Sequence, residues 1–252
     1  MAKYSFIFGV LFSVAESDLF AQTINPIEKD RPDQTETPFT VPKNHFQMES
    51  GFSFEQTDKE TKAYAYPAAL SKYGLTDHFE LRLITEFTSE KSSEQTLSGL
   101  NPVTIGFKVN IAQEKGILPT TSFIGHLSVP KFASEDHKAT YYATAFRFTM
   151  QHTLSKDLAL GYNLGARWDG ESPEPEFVYT LTTGYSISER WSTYIEVYGF
   201  APQRSSAEHS FDGGFSYLFQ QNLSMDISGG FGLTDNAPDY FMALGFSFRL
   251  PN

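Results

Sequence analysis

Residues 79–87 read Phe79-Glu80-Leu81-Arg82-Leu83-Ile84-Thr85-Glu86-Phe87, and this stretch decides the fold. Phe79, Leu81, Leu83, Thr85 and Phe87 share one phase of a period-two repeat, and Glu80, Arg82 and Glu86 share the other. Successive side chains of a strand point to opposite faces, so one face here is free of charge and the other is charged. The pattern recurs from His45 onward in twelve segments of about ten residues, the length of a membrane-spanning strand. In the fourth segment, Val103, Ile105, Phe107, Val109 and Ile111 alternate with Lys108 and Asn110. In the last, Tyr240, Met242, Leu244, Phe246, Phe248 and Leu250 form the apolar phase. The second segment, around 62–72, is the weakest, because Pro67 interrupts it.

Outside that second segment, the apolar phase contains no Asp, Glu, Lys or Arg. The opposite phase carries the acids Glu49, Glu55, Glu80, Glu86, Glu196, Asp212 and Asp226 and the bases Arg82, Lys108, Arg147, Arg167 and Arg249. Lipid enforces such an exclusion, since Arg or Lys at the bilayer midplane costs about 2–4 kcal/mol. A dry soluble core would enforce it too. Two features favour lipid. Strand ends are aromatic (Phe46, Phe54, Phe79, Phe87, Trp168, Phe177, Trp191, Phe219, Tyr240), as in the girdles of membrane barrels. Connections also alternate in length. Those near 71–78, 112–119, 153–157, 188–191 and 220–222 are mostly tight and are assigned to the periplasm. Those near 56–62, 88–101, 130–139, 169–176, 200–209 and 234–239 are longer and are assigned to the outside. The expected fold class is all-β, an antiparallel up-and-down transmembrane β-barrel of about twelve strands, an even number that closes.

The start of the chain fits that location. Lys3, an apolar run over residues 4–15 and the sequence Leu19-Phe20-Ala21-Gln22 have the layout of a secretory signal peptide, residues 1–21. A periplasmic or lumenal segment over residues 22–44 and the barrel over residues 45–252 follow. No later stretch approaches the roughly 18 uninterrupted apolar residues of a spanning helix. The chain lacks cysteine, and its formal charge of −11 argues against nucleic acid as a partner. Outer-membrane lipid of a Gram-negative-type bacterium and a small-molecule solute are the partners expected.

The run Asp30-Arg31-Pro32-Asp33-Gln34-Thr35-Glu36-Thr37-Pro38 is too polar and too broken by proline to span a membrane. Asp30, Arg31, Asp33 and Glu36 could pair with wall charges if the segment folds into the lumen or clamps the periplasmic mouth. The same composition also permits a disordered tail. The inward charges carry a similar ambiguity, between a polar passage and a salt-bridge ladder that stiffens a filled barrel.

Together with that run, several motifs resemble the outer-membrane family of phenol-degradation meta-pathway transporters. They are Phe46-Gln47-Met48-Glu49, Tyr73-Gly74-Leu75-Thr76-Asp77, Phe79-Glu80-Leu81-Arg82-Leu83, Glu196-Val197-Tyr198-Gly199, Asn222-Leu223-Ser224-Met225-Asp226 and the closing Gly245-Phe246-Ser247-Phe248-Arg249-Leu250. The resemblance implies a barrel with a transport role, and the expected function is the passage of small molecules by passive diffusion without a cofactor, aromatic compounds among them if the family's name describes its solutes. It supplies no catalytic residue. The ending Leu250-Pro251-Asn252 departs from the terminal aromatic common in outer-membrane barrels.

The chain also lacks a Gly-x-Ser-x-Gly elbow, a phosphate loop and a His-Glu-x-x-His zinc motif. His126 and Ser128 lie two apart on the inward phase, where a lipid-cleaving site would not face its substrate. The alternatives to a channel are a closed structural or adhesive barrel that binds a partner through its outer loops and, behind it, a membrane-embedded lipid enzyme.

Overall fold

The computed structural model describes residues 25–250, and the expected leader lies outside them. Thirteen strands follow one another in the order β1 (Phe46–Gln56), β2 (Lys62–Thr76), β3 (Phe79–Lys91), β4 (Thr96–Leu100), β5 (Val103–Ala112), β6 (Thr120–Val129), β7 (Ala143–Thr153), β8 (Leu158–Trp168), β9 (Glu176–Ser186), β10 (Trp191–Pro202), β11 (Glu208–Gln220), β12 (Leu223–Gly232) and β13 (Tyr240–Leu250). Apart from β4 and β5, which both pair with β3, chain neighbours pair antiparallel, and β1 pairs with β13 to close the barrel. Twelve positions nevertheless suffice. β4 pairs with the outer half of β3 and β5 with its inner half, so β4 and β5 are one wall position broken at Asn101-Pro102. Proline has no N–H to give the ladder, which accounts for a break at that point.

The burial pattern distinguishes a membrane barrel from a soluble core. Glu80 and Lys108 have no exposed surface and Glu196 has 1 %, whereas Leu244 is 49 % exposed and Ile227 58 %. The polar phase is therefore inside, and the apolar phase is the outer surface. Such a continuous apolar exterior is stable only against hydrocarbon. No helix among the described residues is long and apolar enough to cross a membrane, and the strands make the crossing. Outward rings touch across strands to form a belt, with Phe79 stacked on Phe107 at 5.7 Å and Trp191 against Tyr217 at 4.8 Å.

Two expectations are corrected. The segment weakened by Pro67 is the longest strand, of 15 residues, and it absorbs Pro67 where its register with β3 slips between Ala65 and Ala68. It runs on to Thr76, so the turn expected over 71–78 shrinks to Asp77 and His78. The long connection expected over 88–101 is mostly a hairpin, with only residues 92–95 between β3 and β4. The connection after β6 forms two short 3-10 turns, Pro130–Phe132 and Glu135–His137. It docks on β4, where the Leu100 N–H donates to Ser134 Oγ at 2.8 Å.

The assigned faces make a direct test. Leu244→Arg places a cation on the mid-strand lipid face and should abolish the folded form that migrates anomalously on gels without boiling. Arg167→Leu, on the lumenal face, should retain that form. Equal loss from both variants would show the faces to be wrong.

Candidate functional site

Residues 25–43 run inside the barrel from its short-turn end. The Ile27 N–H donates to Gln221 O at 2.8 Å in the β11–β12 turn, and the Lys43 N–H donates to Asp77 Oδ1 at 3.1 Å in the β2–β3 turn. Between these two anchors the chain rises into the lumen and returns. We refer to this segment as the plug.

Alternation along the plug sends neighbouring charges to opposite walls. The Asp30 carboxylate meets three cations, with Lys108 Nζ at 2.8 Å, Lys72 Nζ at 2.9 Å and Arg82 Nη2 at 3.1 Å. These project from β5, β2 and β3. Lys29 and Arg31 face the other way. Lys29 Nζ donates to Ser216 Oγ at 2.7 Å, and Arg31 Nη2 reaches Asp226 Oδ1 at 3.0 Å. Gly51 and Gly245, paired across β1 and β13, make room for Arg31. A Cβ at either position would lie within 2.6 Å of its guanidinium. Higher up, Glu36 pairs with Arg82 at 2.5 Å and with Arg147 at 3.9 Å.

Wall side chains also bind the plug backbone. Glu49 accepts the N–H groups of Asp30 and Arg31 at 2.9 and 3.0 Å, Glu196 accepts that of Gln34 at 2.7 Å, and Glu80 accepts that of Val41 at 2.7 Å. Asn163 takes the Glu36 N–H and returns a bond to its carbonyl, at 2.8 and 3.0 Å. Arg147 donates to Gln34 O at 3.0 Å, and Ser122 donates to Pro38 O. A segment without secondary structure of its own thus has many of its backbone groups bonded by wall side chains, as burial requires.

Of the inward charges read from the sequence, Glu49, Glu80, Arg82, Lys108, Arg147, Glu196 and Asp226 meet the plug directly. Asp212 accepts a bond from Tyr194 Oη at 2.9 Å, and Arg249 donates to Asn25 O at the mouth. Glu55, Glu86 and Arg167 stand apart in the outer half. Glu86 accepts from Asn101 at 2.9 Å, Glu55 from Thr57 at 3.3 Å, and Arg167 pairs with Glu176 and lies 4.3 Å over the Phe200 ring. His126 and Ser128 do not bond each other, since the Ser128 hydroxyl pairs with Thr104 at 2.6 Å.

Sequence reasoning missed Lys72, because the irregularity near Pro67 breaks the alternation that would have placed it inside. It also missed inward apolar groups above the plug, namely Ile84, Val178, Tyr198, Phe200 and Phe241, which share the phase of the inward charges. Below them a cavity of about 440 Å³ lies between the plug and β7–β11, where Gly161, Thr182, Gly184 and Ser216 present little side-chain volume. The outer half of the lumen therefore mixes aromatic groups with Glu55, Glu86 and Arg167, and the lower half has free volume on one side of the plug.

A family model described as "Putative MetA-pathway of phenol degradation" matches residues 29–250, which include the plug from Lys29 onward. No curated protein matches. Among solved structures, the COG4313 outer membrane channel from Pseudomonas putida F1 superposes with a TM-score of 0.69 at 13% identity, covering 87% of this chain and 99% of that one. The NanC porin gives 0.55 at 12% identity over 81% of this chain and 100% of its own, and the KdgM porin 0.54 at 8% identity over 81% and 99%. At these identities the likeness is one of fold, that of Gram-negative outer-membrane channels.

Plug electrostatics give opposite signs at two acids. Burial pushes the Glu36 carboxyl up, but Arg82 and Arg147 outweigh it and hold the group at about 2. A depressed folded value means that Glu36 stabilises above its ordinary 4.5, and that this contribution is lost as pH falls from 4.5 towards 2. Burial and the neighbouring Glu196 push Asp33 well above its ordinary value, so its charged form opposes the plugged state at neutral pH. Glu36→Gln should lower the temperature at which the folded gel band is lost at pH 7 and flatten its fall in acid. Asp33→Asn should maintain or raise it. Equal destabilisation by both would contradict these roles.

Proposed function

The chain belongs to that phenol-degradation family, and on this premise we propose that its barrel passes small organic molecules, aromatic ones among them, by passive diffusion. The observation that carries this reading is the arrangement of the lumen. Tyr198, Phe200 and Phe241 give the outer half aromatic surface, and at the short-turn end a cavity lies beside the plug. Its volume of about 440 Å³ is several times the roughly 150 Å³ cavity that accommodates benzene. A solute would meet aromatic walls first and then slip between the plug and the short side chains of β8–β11. Polar groups that hold only the plug can exchange bonds with a passing solute, so no energy input or cofactor is needed. We read no catalytic role in the wall, because His126 and Ser128 do not form a nucleophile–base pair.

Passage should also respond to charge. Acids outnumber bases in the inward set, and low-dielectric walls focus their field on a narrow lumen. The preference should be weak and cation-favouring, because ion pairs cancel most of the charge. A second reading, a closed structural barrel with adhesive loops, draws support from the density of buried ion pairs around Asp30.

Planar-bilayer conductance and liposome swelling separate the two. The channel reading expects small conductance steps, and swelling with arabinose but not with a tetrasaccharide. It also expects a slight cation preference that shrinks at high salt. Glu80→Gln with Glu196→Gln should shift the reversal potential towards anions and enlarge the steps, since both acids anchor plug N–H groups. Neither conductance nor swelling under any condition would favour the closed barrel.

A further inference from the structure

The wall that faces Asp30 carries more cations than acids of its own, and one of those acids, Glu49, already pairs with Lys72. Lys72, Arg82, Lys108 and Arg147 project there with only Glu49 and Glu80 beside them, and Lys72, Arg82 and Lys108 are at most 4 % exposed. The plug brings two carboxylates, Asp30 and Glu36, which restore the balance. Both oxygens of Asp30 are used. Lys108 and the Thr37 N–H bind one, at 2.8 and 3.0 Å, and Lys72 and Arg82 bind the other. Convergent ammonium and guanidinium donors of this kind are the chemistry of a carboxylate site.

We propose that Lys72, Arg82 and Lys108 form a binding site for the carboxylate of a small organic acid, which the chain's own Asp30 fills and a permeating acid takes over. This deepens the channel reading, on which it rests, by naming a solute class. Exchange is feasible because the plug between its anchors is held by side chains: carboxylates on its N–H groups, and amide, hydroxyl or guanidinium donors on its carbonyls. Such bonds are readily remade with a competing polar ligand, unlike a paired strand or a packed apolar core. Tyr198, Phe200 and Phe241 lie on the inward phase of β10 and β13 and offer aromatic surface to the ring of an aromatic acid on its way to the site.

Binding is measured separately from conduction, with benzoate and its uncharged counterpart benzyl alcohol titrated calorimetrically into the detergent-solubilised barrel. Asp30→Asn removes the competing carboxylate charge and should bind benzoate at least tenfold more tightly than the wild type, with benzyl alcohol unchanged. Adding Lys108→Gln should remove the gain. In the wild type, which requires no variant to fold, saturating benzoate should speed deuterium exchange of the plug amides over residues 28–37, and benzyl alcohol should not. Identical benzoate affinity with and without Asp30, equal gains for the two probes, or plug exchange indifferent to benzoate would overturn the proposal. Those outcomes in a barrel that still conducts leave the channel reading standing. Absence of conduction despite benzoate binding would remove the channel reading and retain the site.

Discussion

The contact between one carboxylate and three cations organises the interior of this protein. Asp30 meets Lys72, Arg82 and Lys108 within 3.1 Å, where almost no solvent reaches. Ions in such a place lose hydration worth several kcal/mol each, and only close, well-directed partners offset that loss. The wall cations need the plug, and the plug needs the wall. Removing one partner from a buried pair costs about 3–5 kcal/mol, because the other is left uncompensated. The lower barrel and residues 25–43 are therefore interdependent.

From that constraint follows a lumen with two unlike walls. On β2, β3, β5 and β7 the cations draw Asp30 and Glu36, while across from them Asp226 on β12 takes Arg31, Ser216 on β11 takes Lys29 and Glu196 on β10 takes the Gln34 N–H. The plug is tied to both sides, yet β8–β11 leave volume beside it, and β10 and β13 turn aromatic above it. Buried ion pairs seldom add much net stability over an apolar filling. Here they supply a specific arrangement that polar solutes can compete for, which a hydrophobic filling would not. The apolar exterior and the polar interior are two faces of the same strands, and lipid on one side permits charge on the other.

Particular residues show how far the sequence could be read. Glu80 and Arg82 were legible as inward because Phe79, Leu81 and Leu83 left no doubt about the phase. Lys72 was not, because Pro67 and the slip between Ala65 and Ala68 reset the phase within β2. Phe200 and Phe241 are hidden for a different reason: in the sequence only charge marks an inward position, and an aromatic residue on that phase carries no such mark. The broken position shared by β4 and β5 was hidden because a polar stretch of extended hairpin resembles a loop in composition.

The sequence by itself determined the strand period, the charge-free outer phase, the even number of wall positions and the polarity of the plug. These are local properties, set by side chains two residues apart. Only the tertiary structure decided which charge meets which. Asp30 lies 78 residues from Lys108, and Arg31 lies 195 from Asp226. Alternation states which face a residue is on, not what stands across from it. Barrel closure brings these faces together at one depth, and there the plug's Lys29-Asp30-Arg31 alternation finds a basic wall on one side and an acidic wall on the other.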